Sequence, residues 1–234
     1  MQSSSPFSAI IDICVSPSRA LNGVNHSKYW TFLPFLLYVG LPIAFFAFYF
    51  LGHDFDSIKE QFMAPLADKS PAERQNAEAF LTPHTLLVTT CLTVLVGSLV
   101  IFCLHGLYLM FATKVDDENT HGFGDWFALA VWARAPELLS SLVSFLVVAI
   151  STPLPTLADA NLFSLNALLS LEPTDPWANL ANTLTLFTFW GVFLSALGIT
   201  LWTRIDKTRA WVIATLPYVV VYGAWAAIIF FTKG

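Results

Sequence analysis

The sequence predicts an all-α integral membrane protein: a five transmembrane helix bundle with an N-terminal interfacial amphipathic helix and helical outer loops. Three observations lead there. The 234-residue chain is 56% hydrophobic and only 12% charged, against roughly 25% charged residues in soluble domains. Eight Trp and 21 Phe suit a chain that packs against lipid and anchors at headgroup level. Five stretches also carry the ~20 mainly apolar residues that a spanning helix needs.

Residues 1–30 read as a cytoplasmic interfacial segment. "FSAIIDICV" is a short apolar run, and in "SPSRALNGV" Ser16 is placed to cap a short helix with Pro17 at its first position. Both are expected to lie along the inner membrane surface. No basic stretch precedes the apolar run, so a cleaved signal peptide is not expected. The spans follow at 31–51, 86–113, 126–150, 181–203 and 210–231, the second being long enough to tilt. After the first span, "SPAERQNAEAFLTP" spells a helix: Ser70 caps it, Pro71 holds its first position, Glu73 closes a capping box and Pro83 ends it. Before the third span, Asp116, Asp117 and Glu118 read as solvated charge, Gly122 and Gly124 as turn residues, and Asp125 as the N-cap. The later outer segment "LADANLFSLNALLSLEP" is too apolar for a free loop and should lie on, or dip into, the outer leaflet. With no long repeat and no low-complexity linker, 1–234 reads as one domain.

Lys and Arg near the spans set the orientation. With the N-terminus inside, the inner segments hold Arg19, Lys28, Lys114, Arg204, Lys207 and Arg209, and the outer ones Lys59, Lys69, Arg74 and Lys233. A cytoplasmic N-terminus and an external C-terminus are therefore expected. The net charge of −5 resides mostly in loops, and no basic run suggests nucleic acid. Cys14, Cys91 and Cys103 have no metal-ligand spacing and imply no disulfide framework. They read as small buried hydrophobes.

The third span breaks its own apolarity. Arg134, Glu137, Ser141 and Ser144 recur at three- and four-residue steps, one face of a helix. A charge at bilayer depth costs a few kcal/mol even on lenient scales, so this face should point into the bundle. A pair at i, i+3 can meet directly. Depth adds His105, which lies about as far from Lys114 as Arg134 does from the inner end of its span, roughly 13 Å. On the fourth span Thr188, Gly191, Ser195 and Gly198 form a small-residue face of the kind that lets helices approach closely. Three readings of His105, Arg134 and Glu137 stand open: a structural clamp, a site for a ligand, ion or lipid headgroup, and a proton relay through His105 and Glu137. The chain has no H-E-x-x-H or paired histidines for metal, no G-x-S-x-G elbow and no Gly-rich phosphate loop. No catalytic residue, metal or cofactor is expected, and the chain does not read as an enzyme.

Four passages together resemble the Yip-domain family of Ypt/Rab-interacting proteins, in its prokaryotic form. They are "SPSRALNGV" leading into "KYWTFLPFLLYV"; "GFGDWFALAVWARAPELLSSL", with Trp132, Ala133 and Pro136 early in span three; "FSLNALLSLEP"; and "LFTFWGVFLSALGITLWTRIDKTRAW". Trp132 stands where Tyr is the more usual aromatic. The order and spacing of these passages cover most of the chain apart from the first outer loop. The resemblance implies a five-span membrane domain with a cytoplasmic N-terminus. Eukaryotic members act at Golgi and related membranes with Rab GTPases; this chain lacks their usual long polar N-terminal tail, which, with its compact loops, implies a prokaryotic inner-membrane member and makes GTPase binding doubtful. The leading expectation is a non-enzymatic scaffold, an accessory subunit of a membrane complex or a membrane-homeostasis factor. Its partners would be membrane lipids and a membrane protein or a second copy of itself. The alternative is a small transporter or channel lined by Arg134, Glu137 and His105.

Overall fold

The computed structural model describes residues 2–67 and 69–233, apart from the side chains of Lys28 and Lys233, whose share of the orientation reading lies outside it. Helices α1 (Pro6–Val15) and α2 (Pro17–His26) form a hairpin. Ser5 caps α1: its hydroxyl accepts the Ser8 N–H at 3.1 Å, and Ser8 answers by accepting the Ser5 N–H. Ser16 makes no side-chain cap on α2, contrary to expectation. It also ends α1, with its N–H bonded to the Asp12 carbonyl at 2.7 Å, and that double duty holds its backbone away from cap geometry. Amphipathic character belongs to α2, which buries Ala20, Leu21, Gly23 and Val24. α1 buries Ala9 and Ile13, yet its outer stripe of Phe7, Ile11 and Val15 is also apolar.

A short 3-10 turn leads into α3 (Phe32–Gly52). Next comes α4 (Phe55–Met63), which the sequence reading did not include, and α5 (Pro71–Phe80), which begins with the expected Ser70–Glu73 capping box. A Lys59–Glu78 ion pair of 2.7 Å ties the two together. Pro83 does more than end α5. It holds the first position of α6 (Pro83–Ala112), capped by the Thr82 hydroxyl, so this span starts earlier than 86.

The expected third span is two helices, α7 (Phe123–Arg134) and α8 (Glu137–Ile150). Gly122, not Asp125, is the N-cap of α7; Asp125 sits three positions in, its carboxylate accepting the Gly122 N–H at 2.9 Å. The break falls at Ala135–Pro136. Proline has no N–H to offer the preceding turn, and the chain tightens there into i→i−3 bonds, Ala135 N–H to Trp132 O and Leu138 N–H to Ala135 O, each 3.1 Å.

The connection that follows carries α9 (Leu157–Ala160), α10 (Leu165–Leu169) and α11 (Ala178–Thr183). It folds back along α8, because the Ser144 hydroxyl, two turns before the end of α8, donates to the Ala160 carbonyl at 2.8 Å. An antiparallel bridge between Ser164 and Thr185 closes its far end. The expected fourth span, 181–203, is divided at Leu184, leaving α12 (Leu186–Trp202) with 17 residues. At 1.5 Å per residue it is about 25 Å long, short of the ~30 Å hydrocarbon core. α13 (Lys207–Lys233) completes the chain. Among the described residues four stretches are long and apolar enough to cross a membrane: Tyr29–Gly52, Pro83–Val115, Phe123–Ile150 and Lys207–Thr232.

The main core lies where α2, α7 and α12 meet, around Leu21, Trp126, Leu129, Trp132, Leu194, Ile199 and Trp202. The Trp202 indole donates to the Leu21 carbonyl at 3.1 Å, and His121 stacks on Trp202 while reaching Asn25 at 2.8 Å. The hairpin is thus fastened over one end of the bundle. The acidic run at that end is not merely solvated: Asp116 accepts the Arg204 N–H at 2.8 Å, and Glu118 pairs with the Arg204 guanidinium. At the opposite end a second core gathers Phe45, Tyr49, Phe50, Ile58, Val148 and Ala160. The three cysteines are free, and half-buried rather than enclosed.

Candidate functional site

Arg134 closes α7 and Glu137 opens α8, so the break sets their geometry. Arg134 Nη2 lies 2.8 Å from Glu137 Oε1, with only 20% and 17% of the two side chains exposed. Helix dipoles favour this order, since a cation is stabilised at a helix C-terminus and an anion at an N-terminus. One turn of chain therefore supplies two oppositely charged helix ends and the two side chains that neutralise them. The second carboxylate oxygen is also occupied: the Tyr38 hydroxyl of α3 donates to Glu137 Oε2 at 2.9 Å. Tyr218 and Tyr222 of α13 stand close enough to interact electrostatically with both charges.

His105 of α6 belongs to the same layer. It is close enough to feel the Arg134 charge, and its ring meets the Tyr218 ring edge-on at 6.1 Å. Its Nε2, like Arg134 Nε, has no hydrogen-bond partner among the described residues. The four residues of the small-residue face of α12 are all buried. Gly191 lets α12 approach the α7 backbone: a Cβ there would sit 3.2 Å from the Ala133 carbonyl oxygen. At Gly198 a Cβ would overlap the Leu129 side chain. Thr188 interacts with Tyr222, and Ser195 is fully enclosed with its hydroxyl unpartnered.

The expected stripe does not stay together. Ser144 turns to the α9 carbonyl, and Ser141 lines a separate cavity between α3, α8 and α9. Glu137, Ser141 and Ser144 all lie on α8 at helical spacing, but they meet different neighbours: Glu137 meets Arg134 and Tyr38, and Ser144 meets α9. Sequence reasoning also passed over the three tyrosines. Tyr218 and Tyr222, an i, i+4 pair in the middle of a span, carried a readable signal; Tyr38, 99 residues from Glu137, carried none.

Chemically, the cluster holds a paired cation and anion with phenol groups around them, shared by α3, α6, α7–α8 and α13. Among the described residues no group of three or more His, Cys, Asp or Glu side chains is arranged to hold a metal ion. No curated protein and no solved structure matches the chain. Residues 11–228 match the Yip1 domain. That match spans nearly the whole folded chain, from α1 to the last turns of α13, and with the apolar spanning helices it makes this chain a multi-pass membrane protein of the Yip1 domain family.

Proposed function

We propose that the protein is a non-enzymatic scaffold or accessory subunit in a cell inner membrane, and that Arg134 and Glu137 are a structural clamp within it. One observation carries the clamp reading: both Glu137 carboxylate oxygens are engaged, by residues from α7 and α3. Each oxygen already accepts from a different helix of the protein itself, which is the arrangement that fixes helix register. The role is to fasten a broken helix to its neighbours, where each unpaired charge would be costly.

We further read the chain as crossing the membrane five times, N-terminus in the cytoplasm and C-terminus outside. The fifth crossing is α12, which can be short because its neighbours enclose it; nine of its 17 residues are buried. The partners are lipids and another membrane protein or a second copy.

The test couples stability to assembly. The double variant Arg134→Met/Glu137→Gln leaves no lone charge, so it should insert, melt close to the parent and retain the parent's co-purifying proteins after mild-detergent extraction. A stable, correctly inserted double variant that has lost its cellular activity would instead assign the pair to a binding site or conduit.

A further inference from the structure

A cavity of about 230 Å³ lies between α3, α8 and α9, one to two turns beyond Glu137 along α8. Pro42 and Phe46 form one wall, Ser140 and Ser141 the facing one, and Leu157 and Asn161 the roof. The roof is fixed in place by the Ser144–Ala160 bond and by the Tyr49 hydroxyl, 2.9 Å from the Pro155 carbonyl. Ser141 stands nine residues before the end of α8, or roughly 14 Å of helix. That depth lies within the hydrocarbon region of one leaflet.

Some hydroxyls on the apolar helices turn back to a carbonyl of the preceding turn, as Thr89, Thr200 and Thr232 do at 2.6–2.8 Å. Such back-bonding is how a hydroxyl satisfies itself away from water. Ser140 and Ser141 make no hydrogen bond to any described residue, and, unlike the enclosed Ser195, they line an open cavity. The cavity therefore presents hydroxyls able to donate and to accept, in a medium that supplies no partner.

We propose that this cavity receives the hydroxyl-bearing glycerol end of an uncharged, diacylglycerol-type lipid. Three features select that class. No Lys, Arg, Asp or Glu lines the cavity, so a phosphate would lose its hydration with no cation to replace it. Serine hydroxyls match hydroxyl and ester oxygens, which both accept and, for the hydroxyl, donate, and Asn161, whose amide N–H already donates to the Asn182 carbonyl at 3.0 Å, adds its side-chain oxygen as an acceptor. The volume is below the ~300–1,000 Å³ of sites that enclose a whole drug-sized ligand. It suits a small polar end whose acyl chains remain in the bilayer, where Leu139, Leu142 and Leu146 of α8 are exposed.

The experiment uses the full chain in nanodiscs of phosphatidylethanolamine and phosphatidylglycerol. These are doped with a diacylglycerol, or with a phosphatidylcholine, each carrying a diazirine near the top of one acyl chain. After irradiation, the diacylglycerol probe should label the α3 and α8–α9 peptides well above the phosphatidylcholine probe, and unlabelled dioleoylglycerol should compete. Ser140→Ala/Ser141→Ala should reduce labelling by about fivefold or more, the factor expected from lost hydrogen bonds, with an unchanged melting temperature. Leu216→Ala, at an exposed position of α13 that does not line the cavity, should leave labelling as it is. Equal labelling by the two probes, a preference for the phospholipid, or labelling that survives the serine changes would overturn the proposal. If the serine variant does not insert, failure of dioleoylglycerol to compete in the parent overturns it alone.

Discussion

Helices α12 and α6 would be hard to rank by composition, yet the fold uses them in opposite ways. α12 buries nine of its 17 residues; α6 buries four of 30, Ser98, Phe102, Gly106 and Leu109. The difference lies in side-chain size. α12 places Gly191, Ser195, Ala196 and Gly198 where α7 must come close, whereas α6 offers Leu92, Leu95, Leu99 and Leu104 to its surroundings. In a bilayer, large apolar side chains gain little by leaving lipid for protein, so close packing of small residues decides which helix goes inside. An interior helix is then the one that can be approached, not the most apolar one.

The severest break of this contrast falls on the enclosed side, at the charge pair. Glu137→Gln leaves Arg134 buried without its anion, and a guanidinium, which stays protonated in proteins, has no neutral form to retreat to. A loss on the order of 3–5 kcal/mol is expected by thermal or denaturant unfolding in detergent. Arg134→Met should cost clearly less, because Glu137 keeps the Tyr38 hydroxyl and can accept a proton. Equal losses would refute the clamp.

Substitutions at glycine come next and test the contrast directly. Gly198→Leu drives a side chain into Leu129 and should cost about 1–3 kcal/mol through overpacking; adding Leu129→Ala should return part of it. On α6, a Cβ added at Gly97 would meet nothing within 4 Å, so Gly97→Leu should melt within ~0.5 kcal/mol of the parent. A large effect at Gly97 would mean that α6 meets a partner there.

Smaller still is Trp202→Phe, which removes the indole bond to the Leu21 carbonyl and should cost about 1 kcal/mol. Limited proteolysis should then cut the α1–α2 hairpin sooner than in the parent. The least effect belongs to the exposed α4–α5 pair. Hydrogen bonds from Ser70 hold the Glu73 carboxyl below its usual range, and the Lys59 bond and charge do the same for Glu78. Groups with lowered folded values stabilise above the ordinary carboxylate range and lose that contribution as pH falls through the folded value. Lys59→Met should therefore slightly lower the neutral end of a pH–stability profile and leave the acid end, below the carboxylate range, where it was.

Much of the site was legible. Arg134 and Glu137 pair because i, i+3 spacing leaves them no other geometry, and the small-residue face of α12 was visible as a pattern. Ser141 and Ser144 were assigned to the same cluster because they follow Glu137 along one face of α8; that face runs on to meet α9 instead, a contact that helical periodicity does not show. The bonding of Tyr38 was not legible, since only tertiary packing brings α3 against the start of α8.

By itself the sequence determined the chemistry of each segment. The apolar runs, the capping box at Ser70, the Pro-marked helix starts and the charge pair all follow from local sterics and solvation, which act over a few residues. The tertiary structure decided which apolar helices are enclosed, that Tyr38 of α3 meets Glu137 at the start of α8, and that the 152–185 connection folds back onto Ser144 to roof a serine-walled cavity. Those outcomes depend on how closely backbones can approach across the bundle, and contacts between residues a hundred positions apart leave no periodicity in the chain.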